Sequence, residues 1–565
     1  CIRDRYFFFF VLRDIILFKE VEMKKIFEKH GVVNCVGALM DVIAFILFIV
    51  AAFVDGATAD MVLKVVGLVL FVVAGMMMSI SSKEHSLAKS IFVLVLAGVI
   101  ASWMFPGGQF QGADFAEGKF ARIGLADFGF MFYYSVYFLL DKIPFLVVLT
   151  GFYGVLSKIS GYQKLVGSLA DKLSKHPIVT SVVMSVILFV LTSLFSQTFV
   201  VLVFIPFFIS ILVKMGMDKL TAFAITFGSA LVGILGCTYG TDTLAIFNST
   251  LNQDIKVGLS YRFIIAAVSL VLYNFFIVMR VRKIDKDMKK NAKNNTIEND
   301  PFAVEKISGK EKTKMLPAMI VLALTAIIVI LGYINWNTNF GIKVFDEFHE
   351  WLVGLEAGKD FNLISYILGA NANALGNFKY VFIFIILLVL VSALLAFLYK
   401  MSFNEYIESF YEGTKKMFKP LLCLLGVNLV FTTSYIAGQP IASVYNWILN
   451  LVEGFNPFIT SIVAFISSLF QVDFGYVAYT VGSFATTVFA DNFAIAHTIF
   501  TSMYGIVQIF MPTSMILVTG LALTKVSYKE WFKYIWLFVV GMIIILLVLF
   551  LSLIHISEPT RLDVI

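Results

Sequence analysis

The chain has 565 residues, 60% of them hydrophobic and only 14% charged, with a mean hydropathy of +0.91. That balance excludes a soluble globular domain, in which roughly half of the residues are apolar and a quarter charged. The formal net charge of +6 does not point to a nucleic-acid partner, because residues 280–314 alone hold eleven Lys or Arg against six Asp or Glu, the bias of one cytoplasmic loop.

Residues 1–22 precede Met23 and residues 554–565 follow the last apolar run; both read as extensions foreign to the protein, and no cleavable signal is evident. A bilayer-spanning helix needs about 20 mostly apolar residues, and such runs recur along the whole chain. Spans are expected at 32–54, 61–80, 88–105, 138–157, 220–250 and 261–280. After a cytoplasmic linker at 281–314 they resume at 315–335, 380–399, 419–437, 493–524 and 531–553, which makes eleven. Two further apolar stretches, 177–213 and 457–489, are each interrupted midway by polar residues and read as helical hairpins that enter and leave on one side.

Loop charge tests this map, since Lys and Arg collect in cytoplasmic loops. Lys24, Lys25 and Lys29 precede the first span, Lys83 and Lys89 follow the second, and Lys158, Lys164, Lys172 and Lys175 follow the fourth. Lys214 and Lys219 close the first hairpin, Lys400, Lys415, Lys416 and Lys419 follow the eighth span, and Lys525 and Lys529 follow the tenth. All fall on one side, with the N-terminus cytoplasmic, while residues 438–456 contain no Lys or Arg. Parity fixes the side of each hairpin and not its depth. Residues 138–250 and 419–524 then run in the same order from opposite sides: span, intervening stretch, hairpin, long interrupted span. Residues 23–137 and 315–418 form scaffold helices, residues 251–280 the sixth span and residues 525–553 the last. The expected fold is an all-α polytopic membrane protein of about eleven transmembrane helices with two opposed helical hairpins in inverted repeats.

The long spans break at Gly236-Cys237-Thr238-Tyr239-Gly240-Thr241-Asp242-Thr243 and at Met511-Pro512-Thr513-Ser514; the hairpin tips are Ser196-Gln197-Thr198 and Gln471-Val472-Asp473-Phe474-Gly475. A broken helix inside a membrane exposes N–H and C=O groups, tolerated only where protein or a cavity takes them up, and broken helices of inverted repeats meet at the binding site in many secondary transporters. Ser196, Gln197, Thr198, Thr238, Asp242, Gln471, Asp473, Gly475, Thr513 and Ser514 are therefore the expected substrate ligands. Thr241, Asp242, Thr243 and Asp473 are the expected ligands of a coupling cation, with a bound sodium ion suited to so many oxygens; helix N-termini suit a substrate carboxylate. For any single Ser, Thr or Gln, helix–helix hydrogen bonding is the competing role.

Among the acids, Asp218 and Asp491 stand just before long spans, where an N-cap is the better reading. Asp41 and His497 lie inside spans with no named partner. No Lys or Arg falls near the tips or breaks in the sequence, so an anionic substrate would depend on helix dipoles and co-bound cations, and a cationic one could pair with Asp242 or Asp473. The four cysteines, Cys1, Cys35, Cys237 and Cys423, have neither disulfide nor metal spacing. No Gly-rich loop ending in Gly-Lys-Ser/Thr suggests a nucleotide-driven pump, no enzyme-like cluster is present, and no cofactor is expected.

The motif order resembles a known family. Phe105-Pro106-Gly107-Gly108-Gln109-Phe110, residues 228–240, Met401-Ser402-Phe403-Asn404-Glu405-Tyr406-Ile407 and Glu412-Gly413-Thr414-Lys415-Lys416-Met417 carry the likeness. So do Met511-Pro512-Thr513-Ser514, Gly520-Leu521-Ala522-Leu523 and Val526-Ser527-Tyr528-Lys529-Glu530-Trp531. Together they resemble the YfcC-like members of the C4-dicarboxylate anaerobic carrier family, in the ion transporter superfamily. The resemblance implies a homodimeric carrier of the bacterial plasma membrane with an elevator mechanism, and substrates that include dicarboxylates and, for some members, basic amino acids. The chain departs from the family at the first break, where Thr238-Tyr239-Gly240-Thr241-Asp242 replaces the usual Asn-Pro, and at the second tip, where Asp473 stands among the usual Ser and Gly. The leading expectation is a secondary carrier of an amino acid or carboxylate, coupled to sodium or protons or working by exchange. The second is a cation/proton antiporter using Asp242 or Asp473.

Overall fold

The structure is a computed structural model that describes residues 31–82, 84–240, 244, 252–290, 302, 314–356, 361–369, 371–378 and 380–557. Among these residues ten helices are long and apolar enough to cross a membrane, or eleven if the pair Asp127–Tyr137 and Lys142–Lys158, bent by 57°, is one span. The expected total is close, but its membership differs in two places. The span expected at 138–157 is the second arm of that bent pair, and the span expected at 220–250 is described as a helix only over Lys219–Leu235. Its place among the long helices is taken by Pro177–Leu194, the first arm of a hairpin, which is itself 18 residues long.

Both interrupted stretches are helical hairpins. In the first, Pro177–Leu194 leads through extended residues 195–197 into a tight turn at Thr198–Val203 and the helix Ile205–Lys214. In the second, Pro457–Phe470 leads through extended residues 471–473 into Phe474–Val488. Local chemistry sets these ends. Proline opens Pro177–Leu194 and Pro457–Phe470, where the missing N–H would have no helical partner anyway. The Asn456 side chain accepts from the Phe458 and Ile459 N–H groups, and the Asp473 Oδ1 accepts from the Gly475 N–H at 2.6 Å.

The long helices on which the hairpins lean are both broken. Lys219–Leu235 starts on an Asp218 cap, as expected, and Asp218 also pairs with Arg280 at 3.0 Å. It widens by one residue per turn at Ala224–Gly228, and the Tyr273 hydroxyl takes the Ala224 carbonyl at 2.7 Å. In the second half Phe493–Phe510 ends at an extended Met511, and Ser514 caps Met515–Thr524 through the Leu517 N–H. Asp491 sits in the short turn Ala490–Asn492 before it, with no side-chain cap bond there. The two broken helices touch where Gly505 faces Leu235; a Cβ at 505 would overlap the Leu235 backbone, so the close crossing depends on the glycine. Burial follows this geometry. In the most apolar 18 residues of Ala490–Thr524, 89% are buried, against 17% in those of the outer helix Val32–Ala51.

Several elements lie outside the expected spans and hairpins. A two-stranded antiparallel hairpin, Gly108–Gln111 with Asp114–Glu117, docks on the second helical hairpin through the Ser483 hydroxyl bond to the Phe110 carbonyl (2.9 Å) and the Phe110–Phe484 ring contact. The amphipathic helix Phe403–Lys415 opens on a Ser402–Glu405 capping box and lies against Lys142–Lys158, with Gly413 against the Thr150 backbone. The buried helix Ile441–Leu449 lies where the intervening stretch between the span 419–437 and the second hairpin was expected.

Candidate functional site

The two hairpin tips and the two broken helices meet around a small cavity of ≈ 40 Å³. Thr198 and Phe199 line it from the first hairpin and Val472, Asp473 and Phe474 from the second. Ile234 contributes the end of the first half-helix, Tyr504 and Gln508 the helix before the second break, and Met515 and Ile516 the half-helix after it. Lys142, first residue of the helix after the bend, completes the wall.

The polar groups on that wall are of complementary kinds. The Lys142 ammonium lies 3.1 Å from the Asp141 carboxylate and 5.9 Å from the centre of the Phe199 ring, a placement that keeps a cation beside the first tip. Asp473 brings a carboxylate that already caps its own helix. The Gln508 amide is 3% exposed, and its Nε2 has no hydrogen-bond partner among the described residues. An unpaired buried donor is costly, and here Gln508 lines a polar cavity formed by both halves. The Tyr504 hydroxyl donates weakly to the Val472 carbonyl at 3.4 Å, steadying the second tip.

Of the expected ligands, Thr198 and Asp473 line this cavity. The others do different work. The Ser196 N–H and hydroxyl donate to the Tyr333 carbonyl (2.7 Å) and the Phe378 carbonyl (2.8 Å), so Ser196 ties the first tip to the helix Leu316–Tyr333 and the segment after it. Gln197 is extended between Ser196 and Thr198 and is not on the cavity wall. Thr238 is locked to the first hairpin: its hydroxyl lies 2.9 Å from the Ser193 hydroxyl and its N–H donates to the same oxygen at 3.0 Å. The Gln471 Nε2 donates to the Gln439 side chain at 3.1 Å. Gly475 serves Asp473 through its N–H, Ser514 is a helix cap, and Thr513 is fully buried with its hydroxyl unpaired among the described residues. Thr241, Asp242 and Thr243 lie outside the described residues.

No Lys or Arg stands near the tips or breaks in the sequence, but the fold brings one cation to each. Lys142 lines the cavity, and Arg262, 2% exposed, donates to the Thr238 carbonyl at the first break. Chain distance concealed both, since each sits on an element adjacent in space and not in sequence. A signal for Lys142 existed all the same: Asp141-Lys142 followed by Pro144 is an ionisable pair in an otherwise apolar stretch, a pattern that marks function inside membranes. Asp41 lines an open apolar groove with Phe45 and Phe48, far in character from this site, and His497 is fully buried against Phe493. Among the described residues no group of His, Cys, Asp and Glu could hold a metal ion, and Cys35, Cys237 and Cys423 form no disulfide.

A solved structure, that of the YdaH transporter of Alcanivorax borkumensis, is similar at 12% identity over 83% of this chain and 97% of that one, with a TM-score of 0.36. No curated protein matches. The family described as C4-dicarboxylate anaerobic carrier matches residues 39–555, nearly the whole described chain and all of the site. It is a family of carriers and not of enzymes. The chain is a multi-pass membrane protein that belongs to the C4-dicarboxylate anaerobic carrier family.

Proposed function

We propose that the chain is a secondary active carrier of a small organic carboxylate, a dicarboxylate or an amino acid, bound where the two hairpin tips and helix breaks converge. The observation that carries this reading is the cavity wall itself, which draws Lys142, Thr198, Asp473 and Gln508 from elements of both halves into one polar pocket. A fixed ammonium and an unpaired amide donor suit a carboxylate; Asp473 suits a second, cationic group on the substrate. At ≈ 40 Å³ the cavity holds a few water-sized groups, which need roughly 10–15 Å³ each by the same measure. A C4-dicarboxylate needs more, so a tip must part from the broken helices to admit it.

The element order supports an inverted-repeat, elevator-type carrier in the bacterial plasma membrane. Each half runs spanning helix, shorter helix, hairpin, broken helix: Lys142–Lys158, Ser160–Leu173, the first hairpin and Lys219–Leu235, then Phe418–Ile436, Ile441–Leu449, the second hairpin and Phe493–Phe510. In this reading the hairpins and broken helices travel together against the remaining spans, in a homodimer with its N-terminus in the cytoplasm. Proteoliposomes loaded with purified protein should accumulate labelled succinate, aspartate or arginine, and Asp473→Asn should lower the initial rate by at least about tenfold with the folded yield unchanged. Wild-type rates in that variant would remove Asp473 from the site, and no uptake of any of these solutes would overturn the carboxylate reading.

A further inference from the structure

The two helix breaks are closed by different chemistry. At the second break the neutral donors of the last helix take the orphaned carbonyls: the Trp531 indole N–H donates to Ile509 O at 2.9 Å and the Tyr528 hydroxyl to Phe510 O at 2.8 Å. At the first break the donor is a charge. Arg262, on the helix that follows the break, is 2% exposed. Its Nη2 donates to the Thr238 carbonyl at 3.0 Å and to the Ile255 carbonyl at 2.6 Å, and its Nη1 to the Val257 carbonyl at 2.8 Å. Its Nε is buried without a hydrogen-bond partner, and no carboxylate forms an ion pair with it among the described residues.

Satisfying carbonyls does not require a cation, as the second break shows. Desolvating a guanidinium costs far more than desolvating an indole, and among the described residues what offsets that cost is the negative potential of the carbonyls and the half-helix C-terminus. Unwound carbonyls at the C-terminal ends of broken half-helices are the groups that membrane carriers offer to a coupling sodium ion. Arg262 presents one positive charge to one such oxygen, the Thr238 carbonyl, together with two carbonyls, Ile255 and Val257, of the turn that leads into its own helix Leu259–Lys290. We propose that Arg262 is a tethered cation filling the seat that a sodium ion would otherwise occupy at the first break, so that this half of the carrier holds its break in place without sodium. Thr238 passes the effect on, because its N–H and hydroxyl fasten the break to Ser193 on the first hairpin. Arg262 is thus a positioning residue for the first tip. The inference rests on the carrier reading for its meaning but is tested apart from it.

The test is thermal unfolding of purified wild-type protein, Arg262→Gln and Arg262→Lys in sodium chloride against choline chloride at equal ionic strength. Wild type and Arg262→Lys, which keep a tethered cation, should unfold at the same temperature in both salts. Arg262→Gln keeps an amide donor but lacks the charge, and sodium should raise its midpoint by at least about 2 °C through binding to the vacated seat. An equal response of Arg262→Gln and wild type would overturn the proposal, as would a sodium response gained by Arg262→Lys. If Arg262→Gln folds only in sodium, the seat is confirmed; if it folds in neither salt, sodium cannot fill the seat and the proposal fails. Absence of carboxylate uptake by wild type would defeat the proposed function and leave these outcomes untouched.

Discussion

Lys142 and Gln508 are the residues on which the site's preference turns, and neither belongs to a tip or a break. Lys142 holds its ammonium between Asp141 and the Phe199 ring, beside a cavity that Asp473 also lines. Replacing Lys142 by Met keeps the length of the side chain and removes the charge, so carboxylate substrates should show a KM raised by about tenfold or more, while the folded yield stays close to wild type. An unchanged KM in proteoliposome uptake would place Lys142 outside the binding step. Gln508→Leu removes a buried donor that has no partner among the described residues; it should leave thermal stability unchanged or raised and lower uptake, and the reverse pattern would mean that the amide serves packing. The tip residues were legible in the sequence because polar runs inside apolar stretches are conspicuous. Which of them face the cavity was not. Ser196 and Thr198 are two residues apart, the first on the extended segment and the second at the start of the tight turn, yet the first bonds Phe378 and the second lines the pocket.

At the scale of the elements, each break depends on a donor borrowed from the next helix. Tyr528→Phe leaves the Phe510 carbonyl without its partner at the second break, and the cost of an unsatisfied buried group, about 1–3 kcal/mol, should appear as a lower unfolding midpoint in detergent. No shift would mean that another donor takes that carbonyl. The crossing of the broken helices is equally exacting, because Gly505 stands against the Leu235 backbone. Sequence reasoning located the hairpins and both breaks from apolar length and interruption. It could not see the wide turn at Ala224–Gly228, whose residues are ordinary helix formers and whose extra carbonyl is satisfied by Tyr273, far along the chain. Nor could it separate the bent pair Asp127–Tyr137 and Lys142–Lys158, since hydropathy averages over a bend. The intervening stretch of the second half was expected without a secondary structure; as Ile441–Leu449 it is a helix too short to span, buried against the second hairpin and tied to the Pro106 carbonyl through Ser443.

At the scale of the whole molecule, burial separates the second broken helix from the outer helices. The broken second helix is buried almost throughout, while Val32–Ala51, Ala57–Ser81 and Leu316–Tyr333 show most of their surface outward. The inverted arrangement proposed for the two halves predicts that single cysteines at Gln197 and Gln471, in a cysteine-free background, react with an impermeant maleimide from opposite faces of oriented membranes; reaction of both from one face would contradict the inversion. The most direct test of the central claim, that substrate binds between the tips, is protection of Thr198→Cys in that same background. Saturating substrate, at about ten times its Kd, should slow labelling of Thr198→Cys roughly tenfold and leave a control cysteine at Ser174 unaffected. Labelling of Thr198→Cys at the same rate with and without a transported substrate would contradict the account.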